Sequence, residues 1–222
     1  FIKTSRSRKT TPSRASAARP TKRAIGATER RAAIVAAGLD EFTAKGFAAT
    51  RLDDVAKRAG VAKGTIYLHF KDKEALFQEL VRTALGPLVL RVSNPPIGEG
   101  AASARALMEG LADMFVREVI GTRRGDILRL IISEGGRFPV LSDFYYNEVI
   151  AHGIVGMRKL IDYGVARGEI RNPHVAEFPQ LIAAPLVVAV IWQGLFAKHQ
   201  PLDFAAMLRV HLDLIFNEGK AA

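Results

Sequence analysis

Residues 50–76, TRLDDVAKRAGVAKGTIYLHFKDKEAL, constrain the fold more than any other stretch of this 222-residue chain. Leu52, Val55, Ala56 and Ala59 fall at i, i+3, i+4 and i+7, one buried face of a short helix. Thr50 reads as its N-cap, with Asp53 in the place of the capping-box acid. Gly60 supplies a turn and Val61 an apolar plug. A second short helix is expected from about Ala62 to His69. A further one begins near Asp72, with Leu76, Phe77, Leu80 and Val81 on one face. Upstream, Val35, Leu39, Phe42 and Gly46 make one stripe of a helix starting at Thr28, which Gly46 ends with Lys45 in the last turn. Two short helices joined by a tight glycine turn, followed by a helix opening at a basic residue, form the layout of a helix-turn-helix that docks on duplex DNA.

Charge marks the same end of the chain. Of the formal net charge of +10, residues 1–26 supply +8 with no acidic residue, and residues 27–83 supply +2. Residues 84–222 balance fourteen basic against fourteen acidic groups. A polyanion partner for the N-terminal end is the simplest physical reason, with a solubilising tail as the alternative. The first 26 residues, broken by Pro12 and Pro20, read as a disordered basic arm. They hold no apolar core for a secretory signal. They are Arg/Ser-rich and acid-free like a transit peptide, but lack its amphipathic face. With no cysteine in the chain, disulfides and thiolate metal sites are excluded and a reducing compartment is the natural home.

The remainder reads as all-α. Gly86-Pro87 is expected to kink or end the helix begun near Asp72. The loop 93–100 (SNPPIGEG) divides the chain into a DNA-binding part, 27–83, and a larger helical part, 84–222. Five helices are expected there, over about 101–120, 124–136, 140–167, 174–198 and 203–218, punctuated by Pro139, Gly168 with Pro173, and Pro201. The run 181–197 (LIAAPLVVAVIWQGLFA) is too short for a membrane span and contains Pro185 and Gln193. It reads instead as a helix buried on several faces. Together with helix 203–218, which carries apolar residues on more than one face, it predicts a homodimer through 174–198 and 203–218.

These residues resemble a known family. Thr50, Val55-Ala56, Ala59-Gly60-Val61, Gly64, Thr65, Tyr67, His69-Phe70, Lys73 and Leu76 match, in order and spacing, the DNA-binding motif of the TetR family of bacterial transcriptional regulators. Ala36-Ala37 and Phe42 ahead of Gly46-Phe47 fit the helix before it. The stretch 128–144 (LRLIISEGGRFPVLSDF) is similar to the C-terminal part of the AefR-like branch. The resemblance implies a cytoplasmic, nucleoid-associated homodimer that binds a double-stranded operator through its N-terminal domain and a small-molecule effector through its C-terminal one.

Within that frame, Lys63 is a candidate for guanine edges or phosphate, and Thr65 for a base or a thymine methyl. Gly64 permits close backbone approach. Tyr67, carried over from the family pattern, bonds a phosphate; half-buried packing is its alternative. Thr50, Arg51, His69 and Lys73 are further phosphate candidates, Lys73 acting together with the N-terminal amides of its helix. The basic arm enters a minor groove or attracts phosphates without specificity. Met108, Leu111, Phe115, Phe138, Phe144, Tyr145, Met157, Trp192 and Phe196 are the candidates for an effector pocket, all of them types that are ordinary core in most helical domains. The balanced charge of that half predicts a largely apolar ligand. Enzyme signatures are absent: no G-x-S-x-G elbow, P-loop, H-E-x-x-H or dinucleotide fingerprint occurs, and the five histidines are scattered. No cofactor or metal is expected. The competing reading is an architectural DNA binder without an effector.

Overall fold

The structure, a computed structural model, describes residues 22–217. Residues 1–21, most of the basic arm, and 218–222 lie outside the described residues. Helix α1 (Lys22–Ala49) is followed by α2 (Leu52–Arg58), α3 (Lys63–His69) and the long α4 (Lys73–Ser93). Residues 22–26, assigned to the arm on charge, are thus helical. Gly46 ends the regular helix of α1, as expected: its backbone leaves helical geometry at φ 75°, ψ 169°, a conformation essentially confined to glycine, and only Phe47–Ala49 continue beyond the kink. The kink delivers Phe47 into the core, where its ring lies 5.4 Å from Phe42 and 6.0 Å from Phe77. Each such buried ring contributes about 2–3 kcal/mol. The deepest positions of α1 are Ile34 and Phe42, with Val35 at the margin of the stripe.

Pro87 does not end α4. It removes the amide that would bond the carbonyl of Thr83, but Leu85 and Leu88 on either side are buried and carry the helix through to Ser93. In the same turn, Arg124 donates to the carbonyl of Ala84 at 2.8 Å.

The second half folds as α5 (Ala104–Glu118), α6 (Arg123–Glu134), α7 (Pro139–Tyr145), α8 (Ala151–Ala166), α9 (Gln180–Leu195) and α10 (Phe204–Ile215). Pro139 opens α7 and separates it from α6, as its fixed φ predicts. The helix expected over 140–167 contains a π-helical turn, Tyr146–Ile150, between α7 and α8. The one expected from 174 is split into a 3-10 turn, Pro173–Glu177, and α9. Among the described residues no strand forms; an isolated bridge pairs Ile170 with Phe216 and fastens the end of α10 to the loop after α8.

Two apolar clusters hold the chain. One gathers Phe42, Phe47, Val55, Ile66 and Phe77 and continues without a break to Met114, Ile127, Leu130 and Leu141, so α6 and α7 share a core with α1–α4. The other, built on Met108, Leu160, Ile161, Ile182, Leu212 and Phe216, lies among α5, α8, α9 and α10. Helix α8 crosses α4 at backbone contact: a methyl group added at Gly156 would collide with the carbonyl of Val92.

Candidate nucleic-acid interface and ligand cavity

Helix α3 buries Ile66 and turns Lys63, Gly64, Tyr67 and Leu68 to solvent. Gly64 has open space where a side chain would stand. Leu68 is 85 % exposed, the extreme among the large apolar side chains of the described residues, and belongs to the same outward face. Its signal in the sequence was its place one residue after Tyr67, which a search for polar contacts passes over. Thr65 and His69 sit half-buried on the flanks of this face.

Asp53 of α2 organises the exposed face. Its carboxylate takes a 2.7 Å ion pair from the Lys63 ammonium and accepts a 3.2 Å hydrogen bond from the Tyr67 hydroxyl. The Lys63 hydrogen bond, ahead of the other contributions, holds the Asp53 carboxyl below its ordinary range, and Asp53 in turn raises the Lys63 ammonium. Two expected DNA contacts thus share one acidic partner within the protein. The sequence reading gave Asp53 a capping role instead.

Two further residues are placed differently from expectation. Thr50 does not cap α2, whose N-cap is Arg51 without a side-chain bond. Thr50 is buried, and its hydroxyl is engaged with the carbonyls of Glu41 (3.2 Å) and Gly46 (2.8 Å), tying the chain to the end of α1. It therefore leaves the set of exposed phosphate donors. Lys73 donates to the carbonyls of Phe47 (2.8 Å) and Ala48 (2.9 Å), with its ammonium 4.7 Å from the Phe47 ring centroid. The start of α4 is capped by Asp72, which accepts from the Ala75 amide at 2.7 Å, so one of its amides is already satisfied. Arg51 remains exposed beside α2.

Below this face, buried Glu41 of α1 receives Arg58 at 2.5 Å and Lys45 at 2.8 Å, and Lys45 also bonds Asp54 at 3.0 Å. Lys45, then Arg58, holds the Glu41 carboxyl below its ordinary range. This cluster fixes α2 on α1.

The nine effector candidates separate into three groups. Met108, Leu111 and Met157 line a partly open cavity of about 30 Å³ among α5, α8, α9 and α10. Phe115, Phe138, Phe144 and Tyr145 pack instead against the first cluster. Phe138 meets Phe47 at 5.1 Å between ring centroids, and burial pushes the Tyr145 hydroxyl up to about 12. Trp192 and Phe196 meet edge to face at the end of α9 with ring centroids 5.3 Å apart, Trp192 donating to the carbonyl of Gln200. Aromatic content cannot tell a cavity wall from a domain junction, because both are apolar. His211, absent from the nine candidates, lines the cavity with Leu208 and Leu212. It lies three residues after Leu208 on the apolar stripe of α10. A larger groove of about 400 Å³ lies between α1, α4 and α6; its arginines Arg31, Arg123 and Arg124 are engaged by Glu79, Asp40 and Glu118.

Exposed apolar side chains mark α9 and α10: Leu181, Val187, Val188, Leu195, Val210 and Leu214 all face solvent in the single chain. Among the described residues, no helix is long and apolar enough to cross a membrane. No group of three or more histidine or acidic side chains there could hold a metal ion.

Residues 34–80, which carry this geometry from α1 into α4, match the model of the bacterial regulatory proteins of the tetR family. The uncharacterized HTH-type transcriptional regulator YhgD of Bacillus subtilis (strain 168) is 49% identical over 178 residues, which is 79% of this chain and 88% of that protein. Among solved structures, the SmeT–triclosan complex superposes with a TM-score of 0.69 at 17% identity, covering 86% of this chain and 93% of SmeT. A transcriptional regulator from Saccharomonospora viridis in complex with choline gives 0.65 at 18% identity, covering 86% and 100%. The fold is shared at low identity, and the YhgD likeness extends well beyond residues 34–80; the chain belongs to the TetR family of bacterial regulatory proteins.

Proposed function

We propose that this chain is a transcriptional repressor that binds a palindromic operator as a homodimer and is released by a small, largely apolar ligand. The observation that carries the DNA half is the solvent-facing surface of α3. Lys63, Gly64 and Tyr67 project from a short helix clamped on α2, with no side chain at Gly64 to hold the backbone off a groove. Lys63 and Thr65 then read base edges, while Arg51, Tyr67, His69 and Lys73 set the register on phosphates. Lys73 would have to exchange a carbonyl of Phe47 or Ala48 for a phosphate oxygen. Residues 27–83 form the DNA-binding domain, and 84–222 the domain for ligand and dimer contact, without catalytic activity of its own.

Support for the dimer comes from the exposed apolar side chains of α9 and α10, which a second copy would cover by forming a four-helix interface. Two copies present two α3 helices, and half-sites one helical turn apart, roughly 34–36 Å, or multiples of that, are the geometric requirement. Support for ligand release comes from the partly open cavity of the C-terminal helices and from the ligand complexes in which SmeT and the S. viridis regulator were solved. A ligand that favours a conformer with misplaced α3 helices lowers operator affinity.

The test is selection of bound fragments from random duplex DNA by the full-length protein at near-physiological salt. An inverted repeat with half-sites at that spacing is the expected outcome. Binding without an enriched motif, lost uniformly as salt rises, would instead identify an architectural DNA binder.

A further inference from the structure

The cavity among α5, α8, α9 and α10 is apolar on every side except one. Met108, Leu111, Met157, Leu186 and Leu208 supply its walls, and His211 enters from α10. The Nε2 atom of His211 is buried and has no hydrogen-bond partner. The backbone of Leu181 in α9 is the ring's other polar neighbour and acts on it as an acceptor. That contact has a cause in the sequence. Pro185 stands four residues after Leu181 within α9 and has no amide hydrogen to give the Leu181 carbonyl. A helix carbonyl left open in this way needs another donor, and the imidazole of His211 is the polar group set against it. With Nε2 unpartnered, the donating atom is Nδ1. Burial holds the imidazole pKa below its ordinary 6.5, so the neutral ring prevails at physiological pH. A neutral imidazole that donates through Nδ1 has a bare lone pair on Nε2.

From this geometry we infer that His211 is the polar anchor of the effector site, and that the effector is an apolar molecule carrying a hydroxyl or N–H donor, which it presents to Nε2. The inference rests on the proposed reading of the C-terminal helices as the effector domain, and specifies the chemistry of its ligand. A buried water is a poor alternative occupant. The cavity of about 30 Å³ has room for one, but a stable buried water makes two to four hydrogen bonds and His211 is the sole polar side chain in the wall. A carboxylate ligand is disfavoured as well, since an anion brings no donor and finds no cation in the lining. The cavity must widen to admit an effector. Met108 and Met157 line two of its sides, and unbranched thioether side chains repack at low cost.

The test compares 1-naphthol with 1-methylnaphthalene, near-isosteres that differ in one hydroxyl donor, by calorimetry on the full-length protein and on His211→Leu. The affinity ratio of naphthol to methylnaphthalene is expected to be at least about fivefold higher in the wild type than in His211→Leu, because the variant has no acceptor for the hydroxyl. Binding of both probes with the same ratio in the two proteins would overturn the anchor while leaving an apolar effector cavity in place. Binding of neither probe to the wild type would overturn the inference altogether; operator selection, which involves no ligand, would remain an independent test of the DNA-binding reading. If His211→Leu does not fold, the ¹⁵N resonance of His211 Nε2 in the wild type decides. Naphthol, and not methylnaphthalene, is expected to shift it, and an unmoved resonance under saturating naphthol refutes the proposal.

Discussion

Gly46 of α1 lies against Glu134 of α6, and Gly46→Ala probes that joint. Two separate costs apply. The backbone at φ 75°, ψ 169° is open to glycine and closed to L-residues carrying a Cβ, which is worth about 1–3 kcal/mol. A Cβ built there would also stand 2.8 Å from Oε1 of Glu134, the last residue of α6. That atom is the far end of a flexible side chain, so displacing it costs about 1 kcal/mol, the low end for overpacking. The expected loss is therefore about 2–4 kcal/mol, a large part of a typical domain's stability.

The assay is urea unfolding followed by far-UV circular dichroism at one fixed protein concentration, because the apparent stability of the proposed dimer depends on concentration. The partition between the two costs is testable with Glu134→Ala. The second oxygen of Glu134 is buried without a partner, so removing the carboxylate by itself is expected to cost little. In that background Gly46→Ala should recover about 1 kcal/mol, the steric part, and retain the backbone part. A Gly46→Ala protein within about 0.5 kcal/mol of wild type, the ordinary range for innocuous substitutions, refutes the kinked conformation. Full recovery in the double variant refutes the backbone cost and leaves only the steric one.

Asp53→Asn releases Lys63 from its acidic partner and removes one negative charge from the exposed face. The slope of log affinity against log salt on random DNA is expected to steepen by about 0.9, one phosphate contact, and the ratio of operator to random binding to fall; unchanged values in a filter-binding titration rule out Asp53 as a restraint on Lys63. Glu41→Gln addresses pH. The folded-state pKa of Glu41 is held below its ordinary 4.5, so its ion pairs contribute stability above that pH and lose it as pH falls through the depressed value. The wild type is therefore expected to lose more stability than Glu41→Gln between pH 5 and roughly pH 3, and parallel acid limbs in urea midpoints would contradict the buried cluster. Val210→Glu with Leu214→Glu places charges on the exposed apolar side of α10. A monomer in analytical ultracentrifugation with wild-type helicity is expected, and a persisting dimer would move the interface elsewhere.

The helix-turn-helix was legible because its signals are local. Leu52, Val55 and Ala56 are buried as their spacing requires, Gly60 turns at φ 68°, and Asp72 caps α4. Errors arose where tertiary contacts decide. Thr50 has the chemistry of an N-cap, but its hydroxyl meets the carbonyls at the end of α1 first. Pro87 has the chemistry of a helix stop, but burial of Leu85 and Leu88 outweighs one missing hydrogen bond. For the aromatic residues, composition identified an apolar half and nothing more. Phe138 and Trp192 are alike in sequence terms, yet one packs on Phe47 and the other on Phe196. His211 was overlooked because its meaning depends on Pro185, a residue 26 positions earlier on another helix.

The same contacts bear on how a widened cavity can reach α3. Helix α8 contributes Met157 to the cavity, and the adjacent residue, Gly156, is in backbone contact with Val92 of α4. Backbone against backbone has no side chain to absorb a displacement, so α8 cannot approach α4 without moving it. At its other end, α4 carries Lys73, which bonds the carbonyls of Phe47 and Ala48 just beyond the Gly46 kink. A shift of α4 must therefore either break those bonds or carry the end of α1 with it, together with α2, which Glu41 holds through Arg58. Glu134 and Phe138 oppose the second course, because they brace Gly46 and Phe47 from α6 and the start of α7. Removing the brace with Phe138→Ala while keeping the cavity intact distinguishes the two. If α6 and α7 hold the DNA-reading helices in place, this variant should bind 1-naphthol as the wild type does but show a weaker effect of that ligand on operator affinity, since affinity coupling is a property of the contacts between the sites. An unchanged coupling in Phe138→Ala would assign the transmission to α4 alone.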